Sequence, residues 1–254
     1  MALHDVAKSL SWLTALLNTD KALLGFFEEC LRTPSLCPLA QLLGPKTTAD
    51  DLVQALDKIL QELLDNPIYL PAGAPTYAVY KEPPISFYED IKRGIFEALY
   101  SPARFPSLAT NLRLVLSRNF TQYESNKPKN VTGSTWNKGR LAFWGIACSD
   151  AEFRASRPED MFALVAAQQN ASTFADVYMP QIWPCAQWKL QAAERYTGNF
   201  NTKTSFPILF TNGPFDPITP LPSAINASAG FEGSVVLQHS AHGVRFIQII
   251  FCPP

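Results

Sequence analysis

The sequence predicts an α/β chain, with a long helical block followed by a terminal strand–helix–strand unit. Three observations predict it. Residues from about 5 to 195 carry apolar side chains at helical spacing, in segments separated by prolines. Short apolar runs of strand character appear only after about residue 200, at 206–211 and 234–238. Each run leads into a turn or loop with a helical segment between them, the order of a parallel βαβ unit.

The first segment, MALHDVAKSLSWLTALLN, has apolar residues at helical spacing and predicts an amphipathic helix. Asn18, Thr19, Asp20 and Lys21 follow it where a secretion signal would place small residues for cleavage, so it does not read as a signal peptide. Thr19 and Asp20 offer a cap for KALLGFFEECL. Thr47, Thr48, Asp50 and Asp51 crowd hydroxyl and acidic groups at the start of DLVQALDKILQELLDN, as a helix N-terminus favours. In that helix Leu52, Leu56, Ile59, Leu60, Leu63 and Leu64 make an apolar stripe, with the charges opposite. Further helices are predicted over ISFYEDIKRGIFEALY, SLATNLRLVLSRN, GRLAFWGIACSD and PEDMFALVAAQQN, with a short one after Pro180. TQYESNKPKNVTGSTWNKG reads as a polar linker. Phe206 to Thr211 predicts a buried strand ending at Asn212 and Gly213, LPSAINASAG a helix, and SVVLQ a second strand running into HSAHG.

Composition bounds the function. Hydrophobic residues make up 47% and charged residues 17% of the 254, a globular balance and not a disordered one. A net charge of −1 gives no electrostatic reason to expect nucleic acid as a partner. No apolar run approaches the roughly 20 residues of a membrane span. The histidines His4, His239 and His242 do not fall at zinc-ligand spacing with the cysteines, and no cofactor motif is present. Cys30 and Cys37 flank a short proline-containing turn that a local disulfide would close. Cys148 and Cys185 lie in GIACSD and WPCAQW, for which buried free thiols are the plainer but less favoured reading. Glycosylation sequons start at Asn119, Asn130, Asn170 and Asn226, and with paired cysteines they favour an oxidising, extracellular setting. A secreted-looking body without a signal peptide leads to the expectation that a preceding portion is missing.

The chemistry centres on two loops. Asp216 follows the first strand within NGPFDPITP, where Pro214, Pro217 and Pro220 stiffen the backbone, and His242 follows the second strand. Acid after a late strand and histidine after the last strand is the chain order of an α/β-hydrolase triad, in which the carboxylate holds the imidazole tautomer and stabilises the imidazolium. Spacing alone also allows an ordinary turn at Asp216 and a solvated loop histidine at His242.

The segment PILFTNGPFDPITPLPSAINASAGFEGSVVLQHSAHG resembles the C-terminal segment of tripeptidyl-aminopeptidase-like serine peptidases, whose pattern is an apolar strand, Asn/Gly, Asp-Pro-x-Thr-Pro, a small-residue helix and a strand leading to Gly-His. SWLTALLNTDKALLGFFEEC resembles the entry to the helical cap of fungal members, and GIACSD with WPCAQW their paired-cysteine regions. The resemblance implies a partial α/β-hydrolase fold, with residues 1–200 as a helical cap and 201–254 as the C-terminal hydrolase segment. It implies Asp216 and His242 as acid and base, a Cys148–Cys185 disulfide, a peptide substrate, no cofactor and secretion. Acidic cap residues such as Glu28, Glu29, Glu89 and Asp90 are candidates for anchoring a peptide amine, against the plainer reading of solvated helix charges.

Two departures accompany it. No G-x-S-x-G nucleophile elbow occurs in these residues, so the serine-bearing half is expected to be absent and the chain inactive by itself, or else a non-catalytic cap-and-tail binding module. The family pattern also ends in Gly followed by the catalytic histidine. Here Gly243 is followed by Val244, which takes the place of the family's histidine, with His242 two residues before it, so the histidine is either displaced to His242 or lost at Val244. The tail RFIQIIFCPP resembles nothing in the family, and sequence read through from an intron is the expectation for that tail.

Overall fold

Helices dominate the secondary structure, and a single pair of parallel strands completes it among the described residues. The computed structural model describes residues 14–77, 84–127, 138–194 and 200–244. Most of the first predicted helix, the Asn130 sequon and Cys252 lie outside them. The chain divides into two compact units. A helical unit comprises Thr19–Thr132, Phe215–Pro217 and Ser240–Pro254, and a mixed unit comprises Met1–Asn18, Gly133–Pro214 and Ile218–His239. Both units draw on residues from either side of residue 200.

The helical unit contains α1 (Thr19–Arg32), α2 (Ala49–Asp65), α3 (Phe87–Leu99), α4 (Phe105–Leu116) and α5 (Phe120–Ser125). Helix α2 starts with a full capping box: Thr48 accepts from the Asp51 amide, and the Asp51 carboxylate accepts from the Thr48 amide at 2.9 Å. Its stripe is buried at Leu52, Leu56, Ile59, Leu60 and Leu63. Leu64 is exposed, because it falls past the edge of the face that α2 turns to α1, α3 and α4. Ser86 caps α3 by accepting from the Glu89 amide. Helix α4 ends in a Schellman arrangement, with the Arg118 amide donating to the Val115 carbonyl and the Asn119 amide to the Leu114 carbonyl. Arg118 takes the left-handed conformation (φ 58°) that glycine normally supplies there, and its guanidinium pairs with both carboxylate oxygens of Glu62. The core is built from Phe26, Phe27, Leu56, Ile91, Ile95, Phe96, Leu99, Leu112 and Val115, all nearly or fully excluded from solvent. The disulfide Cys30–Cys37 closes the turn that follows α1.

Helix α5 corrects the linker reading of the stretch from Thr121. Asn119 accepts from the Gln122 amide and starts a short helix whose Tyr123 is buried. Asp90 corrects the reading of a solvated charge. It is fully buried and accepts hydrogen bonds from Thr76 Oγ1 (2.7 Å), the Tyr77 amide (2.7 Å), Tyr123 Oη (3.1 Å) and Lys127 Nζ (2.9 Å). Glu28 and Glu29 are exposed, and Glu29 pairs with Arg32.

The mixed unit contains α6 (Lys138–Asp150), α7 (Phe162–Ala171), α8 (Ala175–Tyr178), β1 (Leu209–Asn212), α9 (Leu221–Ala229) and β2 (Val235–Gln238), with 3-10 turns at Pro158–Met161, Met179–Gln181 and Trp183–Gln187. A Cys148–Cys185 disulfide joins α6 to the last of these turns, and both cysteines are buried. Trp144 Nε1 donates to the Gln181 carbonyl at 2.7 Å and Trp183 Nε1 to Gln168 Oε1 at 3.0 Å, giving the indoles the polar partners that burial demands. Strands β1 and β2 pair in parallel, in register from Leu209↔Val235 to Asn212↔Gln238, with α9 as the crossover that parallel pairing requires. The prediction of a buried first strand fails at Leu209, which is 59% exposed; Val235 and Leu237 are similarly open. Two strands bury a face only when a further layer covers it. No described helix is long and apolar enough to cross a membrane.

Candidate active site

The backbone that follows β1 and the backbone that follows β2 meet in the helical unit. Phe215 and His242 form an isolated parallel bridge, and the Gly243 amide donates to the Phe215 carbonyl at 3.3 Å. Their rings stack with centroids 4.3 Å apart and planes 14° from parallel, while Phe105 meets the imidazole edge-on at 5.6 Å. Lys21 Nζ lies 5.4 Å from the centre of the Phe215 ring. The loop is tied down beyond Asp216, where Thr19 Oγ1 donates to the Pro217 carbonyl at 2.6 Å in a buried contact.

Two glycines make this packing possible. A Cβ on Gly25 of α1 would stand 2.7 Å from Phe215 Cε1 and 2.9 Å from His242 Cε1, so only a hydrogen leaves room for the stacked pair. Gly243 has φ +84°, and a Cβ there would meet the Tyr100 carbonyl oxygen at 2.6 Å. Gly25→Ala would ordinarily stabilise a helix interior by up to about 1 kcal/mol. Here overpacking reverses the sign, and a loss of roughly 1–3 kcal/mol is expected in denaturant titrations. Gly145→Ala in α6 has open space around its Cβ and serves as the control, with a small gain expected.

Asp216 is buried at 1% exposure, directly beside Phe215 in the chain. His242 is half-buried, and its Nδ1 is excluded from solvent without a hydrogen-bond partner among the described residues. The carboxylate–imidazole hydrogen bond of a triad is thus not made at Nδ1 in this structure. Burial holds the imidazole pKa below its ordinary 6.5; Glu29 and Glu28 oppose that shift and Arg32 adds to it. Above about pH 6.5 the imidazole is neutral whether the chain is folded or unfolded, so it contributes no pH dependence. As the pH falls below that, the unfolded chain takes the proton first, and the fold loses stability until the folded-state pKa is passed. Val244 offers no acid–base group, and its amide donates to the Tyr100 carbonyl at 3.1 Å. In the mixed unit, Asn212 Nδ2 donates to the Thr219 carbonyl at 2.8 Å and the His239 amide to the Asn212 carbonyl at 2.9 Å.

No group of His, Cys, Asp and Glu among the described residues has a metal-binding arrangement. Of the four sequon asparagines, Asn119, Asn170 and Asn226 are exposed. Sequence reasoning did not find the roles of Phe215, Phe105 and Gly25. Each reads as an ordinary core or helix residue until the long-range packing is known.

The two loops are joined through Phe215 and His242, and the comparison with known families bears on the same segment. Residues 171–248 match the family model for TAP-like proteins, within the α/β-hydrolases. The C-terminal portion of the chain is similar to that of tripeptidyl-aminopeptidase-like α/β-hydrolases. The TAP-like segment includes both strands, α9, Asp216 and His242. No curated protein matches the chain.

Proposed function

We propose that the chain is the C-terminal part of a secreted serine hydrolase that releases short peptides from free amino termini, with Asp216 as the orienting acid and His242 as the general base. The observation that carries this reading is the Phe215–His242 pairing, which fastens the residue beside Asp216 to the imidazole. The TAP-like match over 171–248 supports the reaction class. In that chemistry a serine attacks the carbonyl, the histidine takes its proton and the aspartate steadies the charged ring. Residues 1–200 would act as the cap that limits substrate size. Two disulfides and exposed sequon asparagines support the extracellular placement.

The nucleophile is not in these 254 residues, since no G-x-S-x-G is present, and the chain alone turns nothing over. The unbonded Nδ1 favours a second reading, a cap-and-tail binding module without catalysis. Fluorophosphonate labelling and a chromogenic tripeptide are expected to give no signal with this chain; covalent labelling would contradict the missing nucleophile. Co-expression with the serine-bearing half of a TAP-like hydrolase separates the two readings. Release that vanishes in Asp216→Asn and His242→Gln supports the first, and no release supports the binding module.

A further inference from the structure

The helical unit contains a concavity of about 560 Å³, whose walls come from α3, α4, α5 and the segment at Thr76 and Tyr77. None of Asp216, Phe215 or His242 lines it. Its floor is apolar and buried, made by Ile91, Ile95, Leu108, Leu112 and Val115. Gly94 and Ala98, one helical turn apart on α3, leave the space open, and the Tyr77 ring lies against Gly94, 2.9 Å from where a Cβ would stand. The walls are fixed before any ligand arrives. Asp90 accepts from Thr76 Oγ1, the Tyr77 amide and Tyr123 Oη, so one buried carboxylate holds two sides of the cleft in place. A volume of this size suits a small organic ligand.

The rim decides the ligand's chemistry. Glu97 lines the cleft, but its carboxylate is taken by Arg93 at 2.7 Å. Arg104, also lining and exposed, donates one N–H to the Glu97 carbonyl oxygen at 3.0 Å and meets no carboxylate among the described residues. Its remaining donors form a fork suited to a planar carboxylate. A dianionic head would meet one cation only and the nearby Glu97 charge, whereas a monoanion is matched.

We propose that this cleft binds a medium-chain aliphatic monocarboxylate, its chain on the floor beneath Ile95 and Leu112 and its carboxylate on the Arg104 guanidinium. The site is independent of the hydrolase reading. The test is calorimetric titration of the full chain with octanoate, decanoate and dodecanoate below their micelle concentrations, beside decanol and decyl phosphate. Saturable one-to-one binding is expected, tightening by up to about fourfold per added methylene. Arg104→Gln, at an exposed position, is expected to weaken decanoate about tenfold and leave decanol unchanged. Ala98→Leu, which fills the cleft, is expected to remove binding of both while circular dichroism shows the helices retained. Equal affinities for decanoate and decanol, tightest binding of decyl phosphate, no saturable binding, or a decanoate affinity unmoved by Arg104→Gln would each overturn the proposal. Should Ala98→Leu fail to fold, the Arg104→Gln comparison carries the decision alone.

Discussion

Replacing Asp90 with alanine is expected to destabilise the helical unit by roughly 3–5 kcal/mol. The carboxylate is 0% and the Lys127 side chain 1% exposed, so the pair is shielded from solvent on both sides. Removing the acid leaves an ammonium in the interior with no counter-charge, and also strips the acceptor from Thr76, the Tyr77 amide and Tyr123. Four groups thus lose a partner at once, which places the effect at the upper end of single-substitution losses. The cost is that of breaking the pair and not the pair's net worth. The double variant Asp90→Leu/Lys127→Met removes both charges and is expected to recover only the part due to the unpaired ammonium, since Thr76, the Tyr77 amide and Tyr123 still lose the carboxylate acceptor. Urea titrations followed by helical circular dichroism provide the cycle. Equal losses in the single and double variants would show that the ion pair is not the source.

The second large effect is expected from the mixed unit's disulfide. Removing Cys148–Cys185 as a double alanine variant opens a loop with a sequence separation of 37, and chain-entropy scaling puts the cost at about 4 kcal/mol. Removing Cys30–Cys37, with a separation of 7, is expected to cost nearer 2.5 kcal/mol on the same scaling. The order follows from the unfolded chain: the longer cross-link removes more of its freedom. It is reinforced in the folded state because Cys148 and Cys185 are both buried and leave a void when truncated. Thermal melts of the two double variants against the parent check the order, and a larger loss for the short loop would reverse it.

The helices were legible because their ends carry chemical marks. Thr48 and Asp51, crowded at the start of α2, are local signals that need no tertiary information. The βαβ order after residue 200 was legible from the two apolar runs and the small-residue helix between them. The burial of the strands was not, because an apolar run records what a strand prefers to touch and not whether a second layer is there to touch it. Helix α5 was hidden by its polar composition; its start depends on Asn119 and on the left-handed Arg118, which no residue-type rule assigns to arginine. Asp90 was hidden for another reason. An acid in the first turn of a helix is usually solvated and stabilised by the helix dipole, and only the return of Lys127 and Tyr123 in space makes it a buried anchor. At the candidate site, the sequence supplied Asp216 and His242 by their loops, while the stack on Phe215 and the space left by Gly25 depend on packing alone.

The most direct measurement of the central claim, that the Asp216 loop and the His242 loop are joined through Phe215, is a nitrogen-15 NMR titration of His242 in the full chain. A pKa below 6.5 is expected, with ring-current displacement of the imidazole protons that disappears in Phe215→Leu. A pKa of 6.5 with unshifted protons, insensitive to residue 215, would contradict it.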